Sequence, residues 1–411
     1  MFKPMEGVRV LEVAQFTFVP AAGAILADWG AEVIKVEHAE RGDAQRGLSK
    51  ALGHDVTSED TSFAPLMEGP NRGKRSIGLA LEKPGSQEVL RRLVERSDVF
   101  LTNFLPSARA KLGIDVDDIK AINPDIIYTL GTGFGHSGPE ADKGGYDVTG
   151  FWARGGSGEG CTPPGAARLA PMPAGAYGDS IGGMTIAGGI AAALFARART
   201  GHASVVDISL LGVGAWAMQL NVNLALMAGG PLPKALVSPH GGAPSNPLSG
   251  NYVTADDRWI ILSMLQPGRY WPEFCQAAGR PELVKDERFD TAEKLMANAD
   301  EAGAIVAEII RARPLEAWVA AFADIEGQWS VVQNSWEVGN DPSLKAIGQI
   351  VDVIDAEGRP RKLLASPVQF DRRPPELTRG PLFAEHTDEI LLELGLSTQE
   401  LIDLKLAGAV T

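Results

Sequence analysis

Short apolar runs alternate with longer amphipathic stretches along the first third of the chain. Val8–Val13 has the pattern of a buried strand, and Pro20 to Gly30 predicts a helix with proline at its start and glycine at its end. Val33–Glu37 predicts a second strand, Arg75 to Leu81 a third, Asp98 to Asn103 a fourth and Pro124 to Leu130 a fifth. An amphipathic helix is expected over Gly85–Arg96, and a short one after the fourth strand. Residues 38–70 are polar and irregular, a long loop of the kind that serves a site rather than a core. This alternation implies an α/β fold with a parallel, doubly wound sheet, whose ligands lie at the carboxyl ends of the strands.

A glycine-dense loop, Gly131 to Gly145, follows the fifth strand, and a run of small and apolar residues begins near Pro173. One carboxylate, Asp179, stands at the mouth of that run, and Arg197 is the only charged residue from Ser180 to Ala198. The run predicts a buried helix to about Arg199, closed by Thr200 and Gly201. A strand at Ser204–Ile208 and an apolar helix over Leu210–Ala228 come next. Gly229 to Gly250 has the Pro, Gly and Ser content of a linker into a second unit, with a strand at Trp259–Leu262 and helices through about Ala323. From Val351 short strands return, and a helix opens at Thr387. The expected division is a large domain over 1–228, a small domain with its linker over 229–329, and a return over 330–411 that completes the large one.

Composition narrows the function classes. The 411 residues are 45% hydrophobic and 22% charged, enough to fill a sizeable core. A net charge of −14 argues against nucleic acid or an anionic membrane as the main partner. Cys161 and Cys275 are far apart, which points to a reducing compartment and no zinc site. No signal peptide precedes the first strand, and the apolar run Ile181–Ala196 falls short of the ~20 residues of a membrane span. A soluble, cytoplasmic protein is expected.

Two motifs compete for attention. Gly133-Phe-Gly-His-Ser-Gly138 matches G-x-G-x-x-G after a strand, but Pro139 and Gly144-Gly145 leave no room for the helix that a dinucleotide fingerprint requires. Gly178-Asp-Ser-Ile-Gly182 matches the G-x-S-x-G elbow of α/β-hydrolases, with Ser180 as the nucleophile. The preceding segment is too rich in Pro and Gly for the strand that the elbow needs. Asp179 itself reads either as a helix cap or as a carboxylate held at a helix start to attack an activated carbonyl. Gly182, Gly183, Gly188 and Gly189 imply close approach to the helix backbone, by another helix or by a ligand.

Landmarks spread over nearly the whole chain carry a resemblance. They include Gly30-Ala-Glu-Val-Ile-Lys-Val-Glu, Asn71-Arg-Gly-Lys-Arg-Ser, Asn103-Phe, Gly145-Tyr-Asp, Gly178-Asp, Thr200-Gly-His-Ala-Ser and Gly380-Pro-Leu-Phe-Ala-Glu-His. In order and spacing the chain resembles the family III CoA-transferases, to which the α-methylacyl-CoA racemases are related. The resemblance implies a large Rossmann-like domain, a smaller α+β domain and an interlocked ring-shaped homodimer. It also implies transfer of CoA from an acyl-CoA donor to a carboxylic acid acceptor, with CoA as a substrate and no tightly bound cofactor or metal. By the same resemblance Asp179 is the nucleophile, forming an aspartyl anhydride and then an aspartyl-CoA thioester, and Asp147 assists it. CoA is expected along Phe16, Thr17, His38, Leu79, Asn103, Phe104, Lys111, Gly135 and Lys143. His38 and Lys111 stand where arginine is common, and Glu82 where a basic residue is. The racemases carry histidine where this chain has Tyr146, a poor base at neutral pH, which favours transfer over racemisation. Tyr146, Phe151 and Trp329 are the expected walls of the acyl pocket, and His240-Gly-Gly-Ala-Pro the expected water-excluding loop.

Overall fold

A computed structural model describes residues 2–51, 53–57, 61–234, 240–243 and 245–411. The chain forms two compact units, one of residues 1–162, 167–232 and 341–411, the other of 163–166 and 233–340.

The first unit is built on six parallel strands: β1 (Arg9–Val13), β2 (Glu32–Glu37), β3 (Arg75–Gly78), β4 (Val99–Thr102), β5 (Ile127–Thr132) and β6 (Val205–Ser209). Their order, β3-β2-β1-β4-β5-β6, is that of a doubly wound sheet, reversing direction between β1 and β4. Strand alternation supplies two cores. Val10, Val99, Leu101 and Ile127 face one side, with helices α1 (Phe18–Asp28) and α2 (Tyr177–Thr200). Leu11, Phe100 and Tyr128 face the other, with the helix Ser86–Glu95 and the C-terminal residues Ile390, Leu391 and Leu401. The second unit packs Trp271, Phe274, Trp318 and Phe322 against an antiparallel sheet formed by Gly242–Ala243, Asn246–Val253, Trp259–Ser263 and Trp329–Val331.

Three expectations are corrected. The apolar stretch Leu210–Ala228 is two helices, α3 (Leu210–Ala217) and α4 (Gln219–Ala228), bent by 76° at Met218. No Pro marks the break. Gly214 lets α3 close on the backbone of Phe151 and Gly155, whereas α4 buries no residue, so tertiary packing holds one half only. The stretch 38–70 contains a 3₁₀ turn at Ala44–Gly47 capped by the Asp43 side chain, and a helix Pro65–Asn71 with proline in its first turn. Helix α2 runs 24 residues, long and apolar enough to cross a membrane by length and composition. Here it is the crossover between β5 and β6, packed along α1.

A buried charge cluster lies beneath the turn from β1 into α1. The side chains of Glu12, Lys35 and Lys74 are wholly buried and that of Asp43 nearly so. Lys35 Nζ lies 2.8 Å from Asp43 and 3.3 Å from Glu12, and Lys74 Nζ lies 2.7 Å from Glu12. Burial acts to lower the Lys35 ammonium, but Asp43, Glu12 and Glu37 outweigh it and push it up to about 12. Burial wins at Lys74, which falls to about 7 despite Glu12. The cluster also grips backbone: Lys35 donates to Ala14 O at 3.0 Å, Lys74 to Pro20 O at 2.8 Å, and Phe16 N donates to Asp43 Oδ1 at 3.1 Å. These bonds hold Phe16 at φ +63°, a left-handed conformation that a bulky residue adopts only when its surroundings impose it.

Candidate active site

The turns that leave β1, β4 and β5 frame a cleft of about 560 Å³. Gln15, Phe16 and Phe18 come from the first turn, Asn103 to Arg109 from the second, and Gly131 to Gly133 with Lys143 to Tyr146 from the third. Asp179 from the first turn of α2 and Leu210 from the start of α3 complete it. A smaller pocket of about 280 Å³ lies over β1, β2 and β3, lined by Val13, Val36, His38, Arg41, Leu79, Leu81, Glu82 and Leu112. The two share Gln15 and Phe104 as lining.

Asp179 is not the helix cap. The cap position is Ala176, at φ +59° and without a side-chain bond, which places Asp179 inside the first turn. The residue is 9% exposed, and no hydrogen bond from the described residues reaches its carboxyl. Burial first, and the neighbouring Asp147 charge second, push it up to about 7 from the ordinary 3.8. Asp147 is the anion that serves the start of α2. Burial raises its carboxyl, while the amides of Val148, Gly178 and Tyr177 oppose the rise. Val148 N donates to Oδ1 at 2.7 Å. The Tyr177 and Gly178 amides act electrostatically, since the buried Oδ2 has no hydrogen-bond partner among the described residues. Burial raises both carboxyls, but Asp147 accepts a hydrogen bond from Val148 N at the start of the helix Val148–Arg154, whereas Asp179 lines the cleft with none from the described residues.

The glycines of α2 answer the question that their spacing raises. A Cβ on Gly182 would enter the Phe18 ring, and one on Gly183 would come 2.6 Å from Ala21 Cβ and 3.1 Å from Ala22 N. One on Gly178 would meet Phe151 Cγ at 2.5 Å. The first turns of α2 are therefore glycine-rich so that α1 and Phe151 can close on them, and this contact seats Asp179. A Cβ on Gly189 would come 3.1 Å from Val206 Cγ1, and one on Gly188 would face open space.

Of the residues expected to hold CoA, Phe16, Asn103, Phe104 and Lys143 line the larger cleft, and His38, Leu79 and Phe104 the smaller pocket. Phe16 meets Tyr146 edge to face at 5.4 Å, so those two aromatics form one wall. The Asn103 amide is occupied by the protein: it accepts from Gln15 N at 3.1 Å and donates to Gln15 O at 2.7 Å, pinning the β1 turn to the β4 turn. Lys143 Nζ sits 3.0 Å from Glu140 and over the Phe134 ring. Three others lie outside both linings. Thr17 turns its hydroxyl to Gln45 Oε1 at 3.0 Å, Gly135 sits in a turn closed onto Thr132 Oγ1, and Lys111 is exposed on the helix Pro106–Leu112.

Phe151 is buried beneath Gly178 and does not line the cleft, and Trp329 packs within the second unit, its Nε1 donating to Phe322 O at 3.0 Å. In the expected lid, Gly242–Ala243 is a strand of the second unit's sheet, and Pro244 lies outside the described residues. Ser180 is exposed on α2, with turn and irregular backbone rather than a strand before it, so the hydrolase elbow is not formed.

Sequence reasoning missed the backbone of Gly131, Gly133, Gly144 and Gly145 as lining. A signal existed. A Cβ on Gly133 would lie 2.8 Å from Gly145 Cα, so paired glycines twelve residues apart close the loop on itself.

The CoA-transferase family III model matches residues 5–387. A (R)-2-hydroxy-4-methylpentanoate CoA-transferase of Clostridioides difficile is 28% identical, covering 98% of each chain. A succinate–glutarate CoA-transferase of Agrobacterium fabrum is 31% identical over 95% of this chain and 96% of its own. Among solved structures, a CAIB/BAIF family protein from Brucella suis superposes with a TM-score of 0.81 at 29% identity, covering 96% of this chain and all of its own.

Proposed function

The chain belongs to CoA-transferase family III and is an acyl-CoA:carboxylate CoA-transferase, and on that premise we propose that Asp179 is the group that carries the reaction covalently. The observation that bears most on this is a buried aspartate whose carboxyl has no hydrogen-bond partner among the described residues, raised to about 7, at the wall of a cleft formed by the strand ends. A desolvated carboxylate is a better nucleophile than a solvated one, and a thioester is activated enough to accept it.

In the first step the ionised Asp179 Oδ attacks the acyl carbonyl of the donor, and the C–S bond breaks to release CoA thiolate. The product is an acyl-aspartyl anhydride. The thiolate then attacks the aspartyl carbonyl, giving an aspartyl-CoA thioester and the free donor acid. The acceptor carboxylate attacks that thioester, and the released thiolate takes the acceptor acyl group, returning Asp179 as a carboxylate. CoA enters and leaves as substrate. The cleft and the smaller pocket together support a route for it along the strand ends, past Gln15 and Phe104. Phe16, Phe18, Leu105, Tyr146 and Leu210 share the cleft with Asp179, which supports an apolar acyl group as cargo.

Trapping tests the covalent step. Incubation with an acyl-CoA followed by hydroxylamine should leave a hydroxamate on Asp179, and borohydride should reduce the same side chain to an alcohol. Peptide mass mapping that finds residue 179 unmodified under turnover overturns the covalent route.

A homodimer is proposed as the working form. Trp216, Leu220, Leu226 and Met227 on α3 and α4 are 68–80% exposed, an apolar face of the kind that obligate interfaces cover. Sedimentation should give twice the 43.5 kDa chain mass, and Leu226→Asp with Met227→Asp should halve it. A wild-type monomer at micromolar concentration overturns the assignment.

A further inference from the structure

We infer that Asp43 is a positioning residue for the transfer reaction: its side chain fixes the main chain at Phe16, and through it the aromatic wall of the larger cleft. The inference rests on the reading of that cleft, with Asp179 in its lining, as the place of reaction.

Phe16 has a conformation that its own residue type resists. A φ of +63° lies in the left-handed region, where a Cβ crowds the neighbouring carbonyl and glycine is the usual occupant. A free turn of sequence Gln15-Phe-Thr-Phe would leave that region, so groups outside the turn must hold it there. Three side chains do so. Asn103 brackets Gln15 through its N at 3.1 Å and its O at 2.7 Å, and Gln45 Oε1 accepts from the Thr17 hydroxyl at 3.0 Å. Asp43 Oδ1 accepts from the Phe16 amide itself, at 3.1 Å.

Asp43 is itself firmly anchored. Its buried carboxylate lies 2.8 Å from Lys35 Nζ of β2, and its amide donates to Glu37 Oε2 at 3.0 Å. Glu37 is fixed in turn by Arg46 Nε at 2.7 Å and Ser76 Oγ at 2.7 Å. The oxygen that takes the Phe16 amide also takes Gln45 N at 2.9 Å, which caps the 3₁₀ turn Ala44–Gly47. A cap requires only the Gln45 bond, and a counter-ion only Lys35. The bond to Phe16 serves neither purpose, and it joins the 3₁₀ turn to the turn that leaves β1.

That joint reaches the cleft through one ring. Phe16 meets Tyr146 edge to face at 5.4 Å and 86°, and both line the cleft with Asp179. A return of residue 16 to negative φ would swing the ring away from Tyr146 and open the wall. The donor carbonyl reacts only when it is held within reach of the Asp179 carboxylate, so a displaced wall acts on the rate of the chemical step.

Steady-state CoA exchange by the full-length protein tests this through a double-mutant cycle of Asp43→Ala and Phe16→Ala. Asp43→Ala alone should lower kcat about tenfold, with the KM for acyl-CoA within about threefold of the wild type. On top of Phe16→Ala it should lower kcat by less than about twofold, because no ring is left to position. Asp43→Asn keeps an amide oxygen for the Phe16 N–H and should stay within about threefold of the wild-type kcat. Equal losses in the two backgrounds overturn the inference, since a smaller folded fraction scales both rates alike. An Asp43→Asn variant as slow as Asp43→Ala also overturns it, assigning the effect to the ion pair with Lys35. If the ammonium stranded by Asp43→Ala prevents folding, the cycle is run with Lys35→Met in every protein and read by the same criteria. These outcomes leave the reading of Asp179 intact. Full exchange by Asp179→Asn would instead overturn that reading, whatever the coupling measured between positions 43 and 16.

Discussion

Replacing Asp179 by Asn is expected to lower CoA exchange by at least about 10³-fold while CoA still binds, because the amide keeps the shape and loses the nucleophile. The same carboxyl should set the acid limb of the wild-type pH profile. Its value of about 7 lies far above the ordinary 3.8, so below pH 7 most of the protein holds it protonated and unreactive. Activity should rise with pH through a midpoint near 7, and the residual activity of Asp179→Asn should lack that limb.

Stability should move the opposite way. Between pH 3.8 and about 7 the folded state holds a proton on Asp179 that the unfolded chain has released, so ionising this group destabilises the fold progressively across that window. The rise in pKa corresponds to a cost of up to about 4 kcal/mol above pH 7. Asp179→Asn should therefore be more stable than the wild type at pH 8 and nearly equal to it at pH 4. Denaturant melts at the two pH values check this, and equal stability at pH 8 together with full activity would remove Asp179 from the mechanism. A carboxyl that costs stability where activity is highest is what a working group in a buried site looks like.

The second large effect is expected at Glu12. Glu12 is the shared partner of Lys35 and Lys74, all three wholly buried. Glu12→Ala leaves Lys74 without its carboxylate partner and Lys35 with Asp43 as its remaining ion pair, and should cost roughly 3–5 kcal/mol, read as a lower denaturant midpoint at unchanged slope. Any loss of structure should begin in the turn that carries Phe16, because Lys35 and Lys74 hold its carbonyls at Ala14 and Pro20. A midpoint shift worth less than about 1 kcal/mol would show that the cluster relaxes and that the turn stands without it. Gly23 belongs to the same device: a Cβ there would overlap Glu12 Oε2, so α1 can cross the buried carboxylate only with glycine at that point.

The parallel sheet was legible because burial on both faces writes an unmistakable pattern. Val10 and Leu11 on β1, or Phe100 and Leu101 on β4, are apolar at successive positions, and helices fall between such runs. The cleft at the strand ends followed from that topology alone. Asp179 was legible as a carboxylate at a helix start, though its residue chemistry alone left a cap and a nucleophile equally open. Lys35 and Glu12 were not legible as a cluster. A lysine and a glutamate within strands read as solvent-facing, and only the meeting of β1, β2 and residues 43–74 shows that they neutralise each other.

The sequence by itself therefore determined the order of strands and helices, the glycines that allow close crossings, and the family to which the chain belongs. These depend on periodicity and on residue types at fixed spacing, which a linear chain records. Only the tertiary structure decided that Ala176 takes the cap position, that Asp147 supplies the charge at the start of α2, and that Asp179 is left buried with its carboxyl raised to about 7. Desolvation and the nearness of a second carboxylate are properties of assembled surfaces, and residues 147 and 179 are brought together only when α2 crosses α1 and closes over Phe151.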